Sequence, residues 1–422
     1  TRCYSQRTYI GLYSRVKLHM KNLPEKFCVL PWISLETTPI GSVRPCCLTT
    51  ALITKETANQ YNLAEDSLES IRNSKFMKAL RQGFLRGYKP VICERCWAEE
   101  DANRTSKRMH MLNKLKGIIP DDLTTDPKPL AFVDLKLGNI CNIACRICGS
   151  WSSSTYASEE LNELPREERK HNYAYDMNRL GAWPRKATAF WDELLDNAKD
   201  IKYLEITGGE PFMIREHFEF LEKLVELGYS SDIEIHYNTN GTIYPEQAGI
   251  WEQFKHVEIA FSIDDISDRF EYQRHGANWN SVVSNISQFK QLKKNNNNIS
   301  LQVCVTSNIF NVYYLEELAK WIECQNRGNA FDFVYWNILH DAEVHCITSL
   351  PKSLKGIVAE RLLNAEVNDV FKSEFKNIVD FMMTDSKIPS EDILFDIKRM
   401  DDRKGGKFSD SHSEVAVLLG LS

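Results

Sequence analysis

The 422-residue chain has no apolar run long enough to cross a bilayer as a helix, which excludes an integral helical membrane protein. Its first twenty residues carry Arg2, Arg7, Arg15 and Lys17 among polar neighbours and lack the apolar core of a secretion signal. A cytoplasmic location is therefore expected. Positive charge is not in excess either: a formal net charge of -6 leaves the surface as a whole without a counterion-releasing footprint for nucleic acid. His217, His236, His256 and His275 lack metal-ligand spacing with one another, and no catalytic role is assigned to them. Internal repeats are absent.

What the chain does have is length enough for two to three domains or one barrel with an appended module, and a 43% hydrophobic content that supports a sizeable core. It also has twelve cysteines. In a reducing compartment such thiols stay unpaired, and the clustered ones become candidate metal ligands. Cys3, Cys304, Cys324 and Cys346 stand alone and read as small buried hydrophobes.

Cys141, Cys145 and Cys148 follow an apolar strand-like run at C-x3-C-x2-C spacing. Three thiolates can hold a four-iron cluster and leave one iron open to a reagent, just as a catalytic metal keeps a vacant position. A zinc knuckle is the structural alternative, but Gly149, Ser150 and Trp151 offer no fourth ligand nearby. The spacing points to a cluster that does chemistry as well as carrying electrons.

From about residue 130 onward, short apolar strands alternate with amphipathic helices. Strands are predicted at residues 132–137, 202–206, 233–237, 257–261, 301–305 and 333–336. Helical spacing joins Phe218, Leu221, Leu224 and Val225 ahead of Gly228. It joins Trp279, Val282, Val283, Ile286, Phe289 and Leu292 in the same way, and then Leu315, Leu318 and Ile322. This order predicts an α/β fold whose parallel sheet makes an open, six-unit partial barrel of TIM type rather than a closed eight-unit one. Active sites of such barrels lie at the C-terminal ends of strands, where the cysteine triad falls. Residues 119–129 are proline-rich and polar and read as a linker, and residues 295–298 read as a helix-to-strand loop. Beyond residue 346, helix patterns cover 354–363 and 370–383 before the polar Gly405-Gly406 stretch.

After the second predicted strand comes Thr207-Gly208-Gly209-Glu210-Pro211. Its paired glycines let the backbone approach a ligand and Glu210 offers a fixed anion to an ammonium group, a plain tight turn being the alternative. Together with the triad, this motif resembles the radical S-adenosylmethionine (SAM) superfamily over about residues 130–340. The resemblance implies that Cys141, Cys145 and Cys148 bind a [4Fe-4S] cluster, that the methionyl amino and carboxylate groups of SAM occupy its open iron, and that Gly208, Gly209, Glu210 and Pro211 hold the amino group. Ile147 stands where the family often has an aromatic residue, and its apolar side chain still suits the adenine. The third and fourth predicted strands end in Asn238-Thr239-Asn240-Gly241 and Ser262-Ile263-Asp264-Asp265. The same resemblance implies that Asn238 and Asn240 contact the ribose, that Ser262 and Arg274 contact the carboxylate, and that Asp264 belongs to this cofactor-binding set. A capping serine and a solvated helix arginine are the alternatives.

A second constellation lies ahead of the barrel: Cys28, Gly41 and Cys46-Cys47 at C-x12-G-x4-C spacing, then Cys93-Glu94-Arg95-Cys96. It looks like the auxiliary-cluster module called twitch, a shortened SPASM domain, which usually follows the barrel. That likeness implies that Cys28, Cys46, Cys93 and Cys96 ligate a second [4Fe-4S] cluster, with Cys47 spare or a substitute for Cys46; a four-cysteine zinc ribbon is the alternative. The expected organisation is an extension at 1–22, the module at 23–118, the linker at 119–129, the barrel at 130–345 and a helical extension at 346–422. Arg104, Lys107, Arg108, Lys114 and Lys116 form a basic segment that reads as a solvated helix face.

The resemblance implies an oxidoreductase-type enzyme: reductive cleavage of SAM to a 5'-deoxyadenosyl radical, abstraction of a substrate hydrogen, and oxidation or cross-linking of a peptide or protein with help from the auxiliary cluster. A flavodoxin- or ferredoxin-type protein would donate the electron. Dehydrogenation of a sugar-derived small molecule, RNA modification and a non-catalytic metal scaffold are the alternatives. Cys304, on the fifth predicted strand, is the one candidate catalytic base.

Overall fold

The computed structural model describes residues 23–421 apart from 103, 120, 341, 342 and 387, so the expected extension at 1–22, with Cys3, lies outside the described residues. Eight strands form one sheet in the order β2-β1-β3-β4-β5-β6-β7-β8. They are β1 Ser34–Thr37, β2 Val43–Arg44, β3 Phe132–Lys136, β4 Tyr203–Thr207, β5 Glu234–Thr239, β6 His256–Ser262, β7 Ile299–Ser307 and β8 Phe333–Ile338. Every neighbouring pair runs parallel except β1 with β2. The six predicted strands are β3 to β8, and the curved sheet is the partial barrel expected.

Two strands were not expected. β1 adds in parallel to the free edge of β3, with Ser34 beside Phe132 and Glu36 beside Asp134, and β2 folds back on it. The N-terminal cysteine-rich segment thus continues the barrel wall instead of hanging from a linker. These strands are too short, four and two residues, to carry a readable alternation.

Alternation along each longer strand sorts its side chains between two surroundings. On β5, Tyr237 packs on the helical side against Phe212, His217 and Trp251, while its neighbours His236 and Asn238 line the barrel interior. The hydrophobic core therefore sits between sheet and helices. Helix Arg215–Glu226 buries Phe218, Phe220, Leu221 and Leu224 there, and Gly228 beyond it takes φ 75°, a left-handed turn that ends the helix. Helix Trp279–Asn295 begins on an Asn278 side chain that accepts from Ser281 N, and it brings Phe289 against Tyr244, Phe261, Phe212 and Trp251.

Three other expectations change. Lys107 and Arg108 are not on a solvated face: both are buried, Lys107 against Cys47, Asp134 and Glu205, and Arg108 in a salt bridge to Glu100 at 2.6 Å. Cys324 is exposed rather than buried, whereas Cys346 is buried as expected. The tail holds further helices at Ser390–Lys404, Phe408–Ser411 and Ser413–Leu419; the first is highly charged but keeps Ile393, Ile397 and Met400 on one buried stripe.

Replacing Phe289 by Ala removes the ring on which four aromatic neighbours converge. Unfolding in urea should show a loss of about 3–5 kcal/mol, the cost of a buried aromatic cavity. A loss below about 1 kcal/mol would mean that this layer is not close-packed.

Candidate active site

A cavity of about 430 Å³ opens at the C-terminal ends of the strands. Cys141, Cys145 and Cys148 line it together with Ile147, Gly208, Gly209, Asn238, Asn240, Ser262, Arg274 and Cys304. Residues far apart in sequence thus meet around one cavity. Glu210, Pro211 and Asp264 do not line it; they are buried behind it.

The cluster loop is clamped by backbone contact. A Cβ on Gly209 would strike the Ile140 carbonyl, and one on Gly208, at φ 131°, would lie 2.8 Å from Leu137 N. The paired glycines therefore serve first to seat the turn after β4 against the cysteine loop. Glu210 then ties that turn to the end of β5, accepting hydrogen bonds from Thr239 Oγ1 at 2.9 Å, Asn240 N at 2.8 Å and Phe212 N at 3.2 Å. Burial nevertheless outweighs these bonds and pushes the Glu210 carboxyl up to about 7.

Arg274 reaches the cavity from the end of helix Ser267–Gln273, its Nη2 donating to Asp264 Oδ2 at 2.5 Å and its Nη1 lying 3.9 Å from Cys145 Sγ. Asn240 Nδ2 is 3.7 Å from Cys141 Sγ. Burial raises the thiols of Cys141 and Cys145 well above the ordinary range, so as bare thiolates they would be costly. Iron would supply the compensating charge. The donors are sulfur alone, the ligand chemistry of an iron-sulfur cluster.

The other thiols divide between two cavities. Cys28, Cys46, Cys93 and Cys96 line a second, smaller cavity, walled by Leu30, Leu80, Phe84 and Trp97. Cys93 and Cys96 enter it from the start of helix Glu94–Asp101, and Leu48 N donates to Cys46 Sγ at 3.4 Å. Burial pushes the Cys93 thiol up to about 12 and raises Cys28 and Cys96 too. This apolar, four-thiol chamber fits a fully ligated cluster shielded from water. Cys47 lines the large cavity instead, where Lys107 Nζ donates to its Sγ at 2.9 Å.

Sequence reasoning missed the polar interior of the barrel. His236 lines the large cavity and is paired through Nδ1 with Glu258 Oε1 at 2.5 Å. Lys107 lies 3.6 Å from Glu205 and 3.9 Å from Asp134, and Lys136 is 2.6 Å from Glu36. The signal was present as charged residues at alternate strand positions, Asp134 and Lys136 on β3, Glu234 and His236 on β5, His256 and Glu258 on β6. Cys304 lines the same cavity, its sulfur 4.0 Å from Asn238 Oδ1.

Comparison with known proteins adds to this geometry. Residues 135–323 match the family model of the radical SAM superfamily, and residues 28–97 match SPASM, an iron-sulfur cluster-binding domain. Among solved structures, native anSMEcpe with bound AdoMet is 17% identical over 60% of this chain and 60% of its own, with a TM-score of 0.34. SuiB of Streptococcus suis bound to S-adenosylmethionine is 13% identical over 82% of this chain and 70% of its own, at 0.34. The chain thus spans about three fifths of the anSMEcpe length. No curated protein matches it. Among the described residues no helix is long and apolar enough to cross a membrane.

The raised Glu210 carboxyl has a measurable consequence. Folded protein keeps the proton up to about pH 7 and unfolded chain releases it near 4.5, so the native state binds more protons between these values and loses stability as pH rises through them. In metal-free protein, Glu210→Gln should cancel this contribution. The unfolding free energy of wild type relative to the variant should fall by up to about 1.4 kcal/mol per pH unit between pH 5 and 7. A difference independent of pH would contradict a buried, proton-holding carboxyl.

Proposed function

The chain belongs to the radical SAM superfamily and carries a SPASM-type iron-sulfur cluster-binding domain, and on that footing we propose that it reductively cleaves SAM and oxidises or cross-links a peptide or protein substrate. One observation carries the reading: the three thiols of the C-x3-C-x2-C loop line the same cavity as Gly208, Gly209, Asn240, Ser262 and Arg274. The radical SAM domain implies a [4Fe-4S] cluster with SAM, and the SPASM domain an auxiliary cluster. When bound, cluster and cofactor supply a 5'-deoxyadenosyl radical that takes a hydrogen atom from the substrate.

The residues have separate tasks. Cys141, Cys145 and Cys148 hold the first cluster. Ser262 and Arg274 bind the cofactor carboxylate, the turn at 208–211 seats its amino group, Asn238 and Asn240 meet the ribose, and Ile147 packs on the adenine. Asp264 fixes the Arg274 guanidinium, and Glu210 fixes the turn. Cys28, Cys46, Cys93 and Cys96 hold the auxiliary cluster in their apolar chamber, which favours passage of an electron over binding of a polar substrate. The module spans 23–118, the barrel 130–345 and the helical extension 346–422, and a flavodoxin- or ferredoxin-type donor supplies the reducing electron.

Charge pairing supports a peptide rather than RNA. The cations lining the cavity, Arg44, Lys136 and Arg274, are each paired to a carboxylate, Glu36 or Asp264. Lys107 and Arg108 are likewise spent on internal pairs. Phosphates would meet little uncompensated positive charge, whereas Asn238, Gln302 and Asn337 offer amides that match a polypeptide backbone.

Anaerobically reconstituted protein should bind two clusters of about four irons each and form 5'-deoxyadenosine from SAM under a strong reductant. Changing Cys141, Cys145 and Cys148 together to Ala should abolish that product and remove one cluster's iron. Unchanged turnover in the triple variant would end the proposal. Cys46→Ala should cost the other cluster and Cys47→Ala neither, as read by iron content and electron paramagnetic resonance. Loss of a cluster in Cys47→Ala alone would reverse the assignment of these neighbours.

A further inference from the structure

Two-electron oxidation of a substrate releases a proton as well as an electron, and the cavity must contain a group that takes it. Cys304 suits this poorly, because the Asn238 carbonyl oxygen, 4.0 Å from its sulfur, is an acceptor that favours the protonated thiol. His236 is better placed. Its ring is 14% exposed, lines the cavity, and bonds through Nδ1 to a Glu258 carboxylate that is 8% exposed. A carboxylate can only accept, so Nδ1 carries the hydrogen and the lone pair resides on Nε2. That is the tautomer a base requires.

The barrel around His236 is built to receive charge. One register level runs through Glu36, Asp134, Glu205, His236 and Glu258 on the adjacent strands β1, β3, β4, β5 and β6. Lys107 and Lys136 reach this level, Arg44 is held by Glu36 at its edge, and Lys114 shares a smaller cavity with Glu205, His236 and Glu258. Burial raises the Asp134 carboxyl on this level. A positive charge arriving on His236 meets a carboxylate on either side, Glu205 and Glu258.

We propose that His236 is the general base of the oxidation, with Glu258 as its positioning residue. For a substrate bearing H–C–X–H, where X is oxygen, nitrogen or sulfur, the carbon-bound hydrogen atom leaves to the deoxyadenosyl radical. The carbon radical then loses the X–H proton to His236 Nε2 and one electron to the four-iron cluster of the auxiliary module. The C=X bond forms as the X–H bond breaks, and the product is two hydrogens lighter. The assignment rests on the oxidative peptide chemistry proposed above.

Two measurements test it. In metal-free wild-type protein, diethyl pyrocarbonate should modify His236 at Nε2 and spare His217, which is buried and bonded to Ile214 O at 2.6 Å. Peptide mapping by mass spectrometry reads this directly, and an unmodified His236 would overturn the proposal without reference to turnover. In loaded enzyme, a pool of synthetic peptides deuterated at the α- and β-carbons of serine, threonine and cysteine serves as the probe. His236→Gln should raise the ratio of 5'-deoxyadenosine to oxidised peptide by about a hundredfold or more, the scale of a lost general base. Glu258→Gln should raise it less and recover part of the loss at higher pH. An unchanged ratio in His236→Gln, with wild type oxidising the probe, removes the base and leaves the oxidation standing. If wild type forms 5'-deoxyadenosine but oxidises none of the peptides, the peptide oxidation itself fails and the base with it.

Discussion

The ammonium of Lys107 is where the two thiol sites become one structure. It rises from helix Lys107–Lys114, which follows the Cys93 and Cys96 segment, and enters the barrel wall between Asp134 of β3 and Glu205 of β4. There it also donates to Cys47. Removing this cation would break a buried pair, a change that costs about 3–5 kcal/mol, and would leave Asp134 to Lys136 alone at 3.9 Å. Parallel pairing of β1 with β3 sets the register of the join, and Lys107 locks its face. An auxiliary module placed before the barrel is accommodated by this geometry because it supplies wall strands on the edge where the cluster loop begins.

Charge within the barrel has a second effect. Barrels of this kind usually fill their interiors with branched apolar side chains in layers. Here successive inward positions are ionic or hydrogen-bonding, and the apolar packing is displaced to the helical side of the sheet, where Phe212, Tyr237, Trp251, Phe261 and Phe289 interlock. The interior stays open as a result. Small residues help: Ala260 on β6 stands between Asn238 and Gln302 in register and fills little space.

Much of this was legible in the sequence, and the parts that were not have physical reasons. Strands β3 to β8 could be read because each sets apolar residues at strand spacing between turn residues, and the triad and the Gly208-Gly209 turn could be read because their spacing is local. β1 and β2 could not, since a strand of four residues is defined by its partner rather than by its own pattern. Charge runs misled for a related reason: Lys107 and Arg108 look like a solvated face until Asp134, Glu205 and Glu100 arrive from elsewhere in the chain. Cys46 and Cys47 were interchangeable as letters, and only the folded turn separates them: Cys46 lines the small cavity and Cys47 the large one.

The same logic of distant partners explains the highly charged helix Ser390–Lys404. Arg146 lies inside the cluster loop, between Cys145 and Cys148, and is 1% exposed. A guanidinium so placed must be satisfied or the loop cannot close over it. Its Nη1 donates to the Tyr272 carbonyl at 2.9 Å, its Nη2 to Asp401 Oδ1 at 3.1 Å and to the Gly405 carbonyl at 3.3 Å, and its plane lies 3.7 Å from the Tyr272 ring centre. Tyr272 in turn donates its hydroxyl to Asp401 at 2.8 Å. Arg403 and Glu163 add a two-pronged bridge, both contacts at 2.6 Å, from that helix to helix Ser154–Asn162 and the turn after it. The turn after β4 therefore presses the cysteine loop from the front while the C-terminal helix holds it from behind through Arg146. A loop gripped on both sides keeps Cys141, Cys145 and Cys148 in position, which the proposed cluster with an open iron would need if a small movement is not to let a fourth protein ligand close it.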